Sequence, residues 1–373
     1  MINLHLFVDE KVISQAIRNF EYVLPKQNRY IVLVPNLDYH FQHVVVKDVE
    51  ITKAVYESSD FYEKIGDLRQ YKHVIIHLLT WNMFQFVSKH PEGSYMWIAW
   101  GTDIYQELLE YRGYQLYYDK NDILRYYGQK SLIKDIWQMT LGGYFSSRRM
   151  KTKIEALKNI SYFAGCSEDY KLLQKYFPEG HNIKHVPYEY YPVDSMINNE
   201  MINSRVVGRN IIVGNSAYGH GNHVEVFKLL KSVNLTDRKV IVPLSYGDAT
   251  DYVINKGKAI LGDSFFPITT FMPLAEYNKL LLSANIFIYG NYRQAAVGNI
   301  VCALYVGGMV FLNKKNPLYT MYKDMGITLF ALEELEQKME ERLTDEEISS
   351  NREIVLENYS YDRIIGYIKH YFS

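Results

Sequence analysis

The sequence predicts an α/β chain of two parallel-sheet domains, and three observations carry that expectation. Short apolar runs alternate with longer segments of helical period through both halves. A stretch rich in Pro, Tyr, Asn and Met interrupts the alternation around 186–203. The second half opens on an apolar run that ends in a glycine turn and passes directly into a helical segment. At 373 residues the chain is long for one core and comfortable for two. The expected divisions are 1–195 for a first Rossmann-like domain, 204–355 for a second, and 356–373 for a terminal helix packing back on the first.

In the first half, strands are expected at Asn3–Val8, Tyr30–Pro35, Val44–Val46, His73–Leu79, Met96–Trp100 and Ser161–Gly165. Each is short, apolar and followed by a polar or helical stretch, as buried parallel strands with covering helices require. Phe145–Leu157 reads as a helix carrying Arg148, Arg149, Lys151 and Lys153. Pro187 and Pro192 then discourage regular structure. In the second half Ile211–Val213, Lys239–Pro243, Ile286–Tyr289 and Met309–Leu312 read as strands. Helices fit His223–Ser232, Asp248–Gly257, Leu274–Ser283 and Gly298–Val306. Asp362–Phe372 closes the chain as a helix with Ile364, Ile365, Tyr367, Ile368 and Tyr371 at helical spacing.

A net charge of −1 gives no whole-molecule field for gathering nucleic acid, so no nucleic-acid partner is expected. Charge is uneven, however. Arg112 to Lys158 holds ten Lys/Arg against four acids, and Glu333 to Glu357 holds ten acids against three Lys/Arg. Cys166 and Cys302 are the only cysteines, which argues for a reducing compartment and against a disulfide framework. The chain begins on a strand-like run with no basic region and long apolar stretch behind it, so no signal peptide is expected. The longest apolar stretch, Ile300–Leu312, is broken by two glycines and falls short of the about 20 residues a spanning helix needs. Tyrosine is abundant at 34, and Tyr105, Tyr111, Tyr114, Tyr117, Tyr118, Tyr126, Tyr127 and Tyr144 lie in or beside the basic region. Such interleaving suits a membrane–water interface, a sugar platform or single-stranded nucleic acid, and equally suits ordinary half-buried tyrosines.

The chemistry is expected at three places. Asn210-Ile-Ile-Val-Gly-Asn-Ser216, running on to His223, reads as strand, tight turn and helix start, where backbone N–H groups and the helix dipole hold an anion. Tyr289-Gly-Asn-Tyr-Arg-Gln-Ala-Ala-Val-Gly-Asn299 gives a second such turn, with Arg293 able to clamp phosphate. Both glycine turns could instead be plain strand-to-helix connections. Met96 to Tyr105 places Asp103 at a strand's carboxyl end, as a base for an attacking hydroxyl or as the cap of a helix beginning at Ile104. His77 ends the preceding strand and could face the same edge as catalyst or as structural donor. No metal cluster is visible, since His220 and His223 lack companions beyond Glu225, and an Asp-x-Asp element is missing. Diphosphate charge would fall to N–H groups, Arg293 and helix dipoles, with no cofactor. Two such domains would face across a cleft, an architecture shared by GT-B nucleotide-sugar transferases and two-domain binding proteins.

At these residues the chain resembles the TDP-N-acetylfucosamine:lipid II N-acetylfucosaminyltransferases, glycosyltransferase family 56. Trp97-Ile-Ala-Trp-Gly-Thr-Asp-Ile-Tyr105 looks like the family's Trp-x-x-Trp-Gly-x-Asp-x-Tyr segment. Ile212-Val-Gly-Asn-Ser216 with Asn222-His223 is similar to its Val-Gly-Asn-Ser turn and downstream Asn/Glu-His. Arg293-Gln294 with Gly298, then Asn313 and Asn316-Pro317, resemble an Arg-Gln-x-x-x-Gly helix start and an Asn-x-x-Asn-Pro motif. Val242-Pro243-Leu-Ser-Tyr246 is similar to a Val-Pro-Met-Gly-Tyr strand end. Order and spacing hold from about residue 73 to 330, while the family's Gly-Asn-Ser-Gly-Asp is Gly-Asn-Ser-Ala-Tyr here.

The resemblance implies a metal-independent GT-B hexosyltransferase taking a deoxyamino sugar, such as 4-acetamido-4,6-dideoxygalactose, from a TDP-sugar donor. The acceptor it implies is a polyprenyl-diphosphate-linked saccharide at the cytoplasmic face of the inner membrane, in bacterial surface polysaccharide synthesis. Asp103 would serve as base or position the acceptor, with His77 beside it. Gly214, Asn215, Ser216, Arg293, Gln294, Gly298 and Asn299 would hold the donor diphosphate, with Pro243 and Tyr246 near the nucleotide. Trp100 and Tyr105 would meet the acceptor, and Lys134, Arg148, Arg149 and Lys151 an anionic membrane surface. The alternatives are a sugar-nucleotide-binding scaffold without catalysis and a GT-B epimerase acting on a soluble sugar nucleotide.

Overall fold

The computed structural model describes residues 1–129, 147–197 and 201–373. They form two compact units: 1–114, 147–191 and 362–373 make unit 1, and 115–129, 192–197 and 201–361 make unit 2.

Unit 1 holds seven parallel strands, β1 (Ile2–Val8), β2 (Asn28–Leu33), β3 (Ile51–Ala54), β4 (Tyr71–His77), β5 (Tyr95–Ile98), β6 (Ile160–Ala164) and β7 (Lys184–Val186). Their order in the sheet is β3-β2-β1-β4-β5-β6-β7. Chain progress therefore reverses between β1 and β4, the outcome of right-handed crossovers to both sides of a central first strand. Central strands are apolar on both faces, with Leu4, Leu6, Val74, Ile75 and Ile76 essentially fully buried. Helix Ile13–Val23 covers one face with Ala16, Ile17 and Phe20. The terminal helix Tyr361–Tyr371 brings Ile368, and Phe372 beyond it, into the cluster formed by Phe20, Ile75, Met96 and Tyr188.

One expected strand is not a strand. Val44–Val46 lies in a loop because side chains, not a neighbouring strand, take its N–H groups. Asp9 Oδ1 accepts from Val44 at 2.9 Å, and Ser14 Oγ accepts from Val45 at 2.8 Å. The sheet is extended instead by the less apolar Ile51–Ala54.

Unit 2 holds six parallel strands, β8 (Asn210–Val213), β9 (Val240–Pro243), β10 (Phe265–Ile268), β11 (Ala284–Tyr289), β12 (Met309–Leu312) and β13 (Phe330–Ala331), in the order β10-β9-β8-β11-β12-β13. Here the reversal falls between β8 and β11. The segment 115–129, placed with the first domain by the sequence reading, belongs to unit 2. Asn222 fastens it: Oδ1 accepts from Tyr118 N at 2.8 Å, and Nδ2 donates to Leu116 O at 3.2 Å. Helix Lys120–Gln129 adds Asp122, which pairs with Lys256 at 2.6 Å and accepts from the Tyr252 hydroxyl at 2.8 Å. The tyrosines of this stretch are therefore largely engaged in packing and hydrogen bonding.

Candidate functional site

The carboxyl ends of β8 and β11 flank the point where strand order reverses in unit 2, and ligands of open α/β sheets bind at such points. The turn leaving β8 starts at Gly214 with φ +67°, a conformation that favours glycine. Space imposes the same choice: a Cβ there would lie 2.7 Å from His223 Nε2. The Gly214 N–H donates to Ile288 O at 2.8 Å, tying the turn to β11. Among the described residues, neither the Asn215 nor the Ser216 N–H donates to a backbone carbonyl. The turn is braced from the other side, where Ala217 N donates to Tyr246 O at 2.7 Å.

The turn leaving β11 is knitted to the first. Asn222, itself left-handed at φ +51°, donates from Nδ2 to Gly290 O at 3.1 Å. Asn291 Nδ2 donates to His220 O at 3.1 Å. Arg293 follows, 8% exposed, close enough to His220 for its charge to lower that imidazole's pKa, second only to burial. Guanidinium, turn N–H groups and the start of helix His223–Lys231 thus gather at one edge, the combination that holds phosphate oxygens.

Beside this edge lies a cavity of about 240 Å³, lined by Asn215, Pro243, Tyr246, Phe271, Tyr277 and Asn299 among others. The Tyr246 hydroxyl accepts from Asn215 Nδ2 at 2.9 Å and also bonds Ser216. Tyr246 meets Tyr218 edge-on at 6.1 Å, and Tyr218 stacks on His220 at 5.3 Å. An aromatic run therefore leads from the cavity to Arg293. Such a cavity suits a flat base or sugar, with phosphates reaching toward the turns.

Of the expected donor residues, Gly214, Asn215, Ser216 and Arg293 meet at this edge, and Pro243, Tyr246 and Asn299 line the cavity. Gln294 is half-buried in the connecting loop. Gly298 has a packing reason to be glycine, because a Cβ would lie 2.8 Å from Met196 Sδ. The sequence reading passed over Phe271 and Tyr277 because they follow β10, whose Pro267 masked the strand.

Unit 1 corrects two catalytic expectations. Asp103 is neither a helix cap nor an available base. It lies within the π-helical turn Thr102–Gln106, is 1% exposed, and accepts from Trp97 Nε1 at 2.7 Å, Leu79 N at 3.0 Å and Trp100 N at 3.0 Å. Burial pushes its pKa up while these N–H groups oppose the shift. His77 is equally enclosed, with Nδ1 2.8 Å from the Tyr190 hydroxyl and Nε2 3.1 Å from His5 Nδ1. Burial holds it well below its ordinary pKa, with His5 adding to the effect. The neighbours fix one direction for the chain. Asn28 donates from Nδ2 to Glu21 at 3.0 Å and Leu24 O at 2.8 Å, which leaves Oδ1 to accept from His5 Nε2 at 3.2 Å. His5 Nδ1 must then accept from His77, and His77 Nδ1 from Tyr190.

The expected acceptor contacts are likewise occupied. Trp100 donates from Nε1 to Tyr190 at 2.7 Å, and Tyr105 is fully buried with its hydroxyl on Asp169. Glu189, which the sequence reading missed, stands three residues past β7 and is half-buried. Burial, with Asp169 next, raises its pKa to about 8. Arg148, Arg149 and Lys151 are exposed on the helix covering 147–159, Arg149 lying 5.1 Å over the Trp81 ring. Lys134 lies outside the described residues. Among the described residues there is no cluster of three or more His, Cys, Asp or Glu that could hold a metal ion.

The paired sheets with strand order reversing at a central first strand define the GT-B fold. No family model matches the chain. Solved structures match it along its length. A sucrose-phosphate synthase from Thermosynechococcus elongatus superposes with TM-score 0.65 at 10% identity, covering 100% of this chain and 98% of that one. WaaG, a glycosyltransferase involved in lipopolysaccharide biosynthesis, gives 0.56 at 11% identity over 100% and 95%. A UDP-forming α,α-trehalose-phosphate synthase from Burkholderia xenovorans gives 0.59 at 8% identity over 100% and 99%.

Asp103→Asn puts an NH2 group against at least one of the three N–H donors, two on Oδ2 and one on Oδ1. It is expected to lower unfolding free energy by about 2 kcal/mol or more in chemical denaturation. Wild-type stability with loss of activity alone would restore Asp103 as a catalytic group.

Proposed function

We propose that the protein is a glycosyltransferase that binds a nucleoside-diphosphate sugar on unit 2. The observation that carries this reading is the shared edge, where the Gly214–Ser216 turn, Arg293 and the Tyr246 cavity lie together. Its folded relatives include enzymes described as synthases and transferases of sugars. The motif resemblance favours a TDP-linked deoxyamino sugar, such as 4-acetamido-4,6-dideoxygalactose, and a polyprenyl-diphosphate-linked saccharide as acceptor. In the reaction the acceptor oxygen bonds the anomeric carbon as the bond to the diphosphate breaks, and the diphosphate leaves with the electron pair. Arg293 and the turn N–H groups would stabilise that leaving charge. The acceptor hydroxyl gives up its proton to solvent as its bond to the anomeric carbon forms.

A thermal-shift panel of TDP, UDP, GDP and CMP tests the donor class. TDP is expected to stabilise the protein by about 2.7 kcal/mol at a hundred times its Kd. Arg293→Gln should weaken it by roughly 10- to 100-fold, from the loss of about 1.5–3 kcal/mol of charged hydrogen bonding. No shift with any nucleotide would end the reading.

The lipid-linked acceptor carries a membrane surface with it, and exposed Arg148, Arg149 and Lys151 suit anionic headgroups. Among the described residues no helix is long and apolar enough to cross a membrane. Changing those three to Ser should release the protein from sedimenting phosphatidylglycerol vesicles. Equal sedimentation of variant and parent would remove the membrane claim.

A further inference from the structure

Two imidazoles at the donor edge have no task so far. His220 sits on the short turn Gly219–Gly221 and His223 opens helix His223–Lys231; they are 6% and 3% exposed. His220 Nδ1 and His223 Nε2 are buried without a hydrogen-bond partner. A buried nitrogen left this way destabilises the fold, so a protein keeps one where something else supplies the partner. Both follow the Gly214–Ser216 turn closely in sequence. His223 lies between its glycines, Nε2 being 2.7 Å from a Cβ on Gly214 and Cε1 2.5 Å from a Cβ on Gly221. His220 lies between Tyr218, on which it stacks, and Arg293, whose charge it feels.

We propose that His220 and His223 contact the donor's diphosphate, and that this pair takes up a proton from solvent as the donor binds. The proposal rests on the nucleotide-sugar reading above. Without the anion, both rings are neutral near pH 7: burial brings His223 down to about 4 and His220 well below its ordinary range. Neutral rings spare the empty edge a cluster of cations around Arg293. A diphosphate brings about two negative charges beside them and reverses the balance, because an adjacent opposite charge favours the charged form. The proton enters from solvent onto a ring nitrogen and remains there as an N–H donor. It then faces the oxygen that gains an electron pair when the glycosidic bond to the diphosphate breaks. It returns to solvent when the nucleoside diphosphate departs.

Other titratable groups surround the pair. His223 shares its surroundings with Tyr117, Tyr118 and Asp119 of the segment fastened by Asn222, with Tyr252, and with Glu225 of its own helix. His220 faces Arg293. Burial raises the pKa of Glu225, which makes it a rival for the proton. Glu225→Gln is therefore the control.

Calorimetric titration with TDP-glucose and UDP-glucose at pH 6.5, in two buffers of different ionisation enthalpy, reads the proton directly. The diphosphate of a nucleotide sugar has no group of its own titrating near neutrality. Uptake of roughly 0.3 to 1 proton is expected, with binding about tenfold tighter at pH 6 than at pH 8. The uptake should disappear in the double variant His220→Gln, His223→Gln and persist in Glu225→Gln. Binding without uptake in the unaltered protein overturns the inference and leaves the donor reading standing, as does uptake lost only in Glu225→Gln. Absence of binding by both nucleotide sugars overturns the donor reading and the inference together. The two-buffer measurement on the unaltered chain decides the matter even if the double variant fails to fold.

Discussion

At residue 214 the chain leaves a buried central strand with φ +67°, and an imidazole fills the space where a side chain would stand. Either condition alone would favour glycine; together they allow little else. The rest of the unit 2 edge follows from that turn. Its first N–H goes to β11, which brings the two turns to one place, and the next two N–H groups donate to no backbone carbonyl among the described residues. Asn222 and Asn291 then lock the second turn against the first through backbone carbonyls. The left-handed backbone at Asn222 is tolerable because its side chain makes three hydrogen bonds around it.

The two units share a strand order and use their carboxyl edges differently. In unit 1 the polar groups near the ends of β4 and β5 satisfy one another: Asp103 takes three N–H donors, and a one-way chain runs from Trp100 through Tyr190, His77 and His5 to Asn28. The donors of that network are consumed. In unit 2, buried polar atoms at the edge lack hydrogen-bond partners, His220 Nδ1, His223 Nε2 and Glu225 Oε2 among them. The shared strand order thus carries a satisfied polar network in one unit and unsatisfied buried atoms in the other. The difference lies in side chains placed just beyond the strands.

That contrast also explains what the sequence disclosed. The central strands were legible because each is apolar on both faces and bounded by a turn. The two glycine turns that leave β8 and β11 were legible because glycine, Ser and Arg stand next to such runs. Edge strands were not: β7 is Lys-His-Val, β10 carries Pro267, and β13 is two residues long, so neither length nor apolarity marks them. Val44–Val46 misled because its hydrogen bonds go to Asp9 and Ser14, far away in sequence. Asp103 misled for a related reason. Its position at a strand end was read correctly, but the Trp97 indole and the Leu79 amide that occupy it come from two different strand ends. The attachment of 115–129 to unit 2 runs through Asn222, Tyr252 and Lys256, each more than a hundred residues from its partner.

The central claim is that a pyrophosphate lies on the main chain of both unit 2 turns at once. Amide hydrogen exchange with and without TDP addresses it directly. The account requires slowed exchange in 214–224 and 290–300 together, with 99–106 unchanged. Protection confined to the unit 1 segment, or to one turn and not the other, would contradict it.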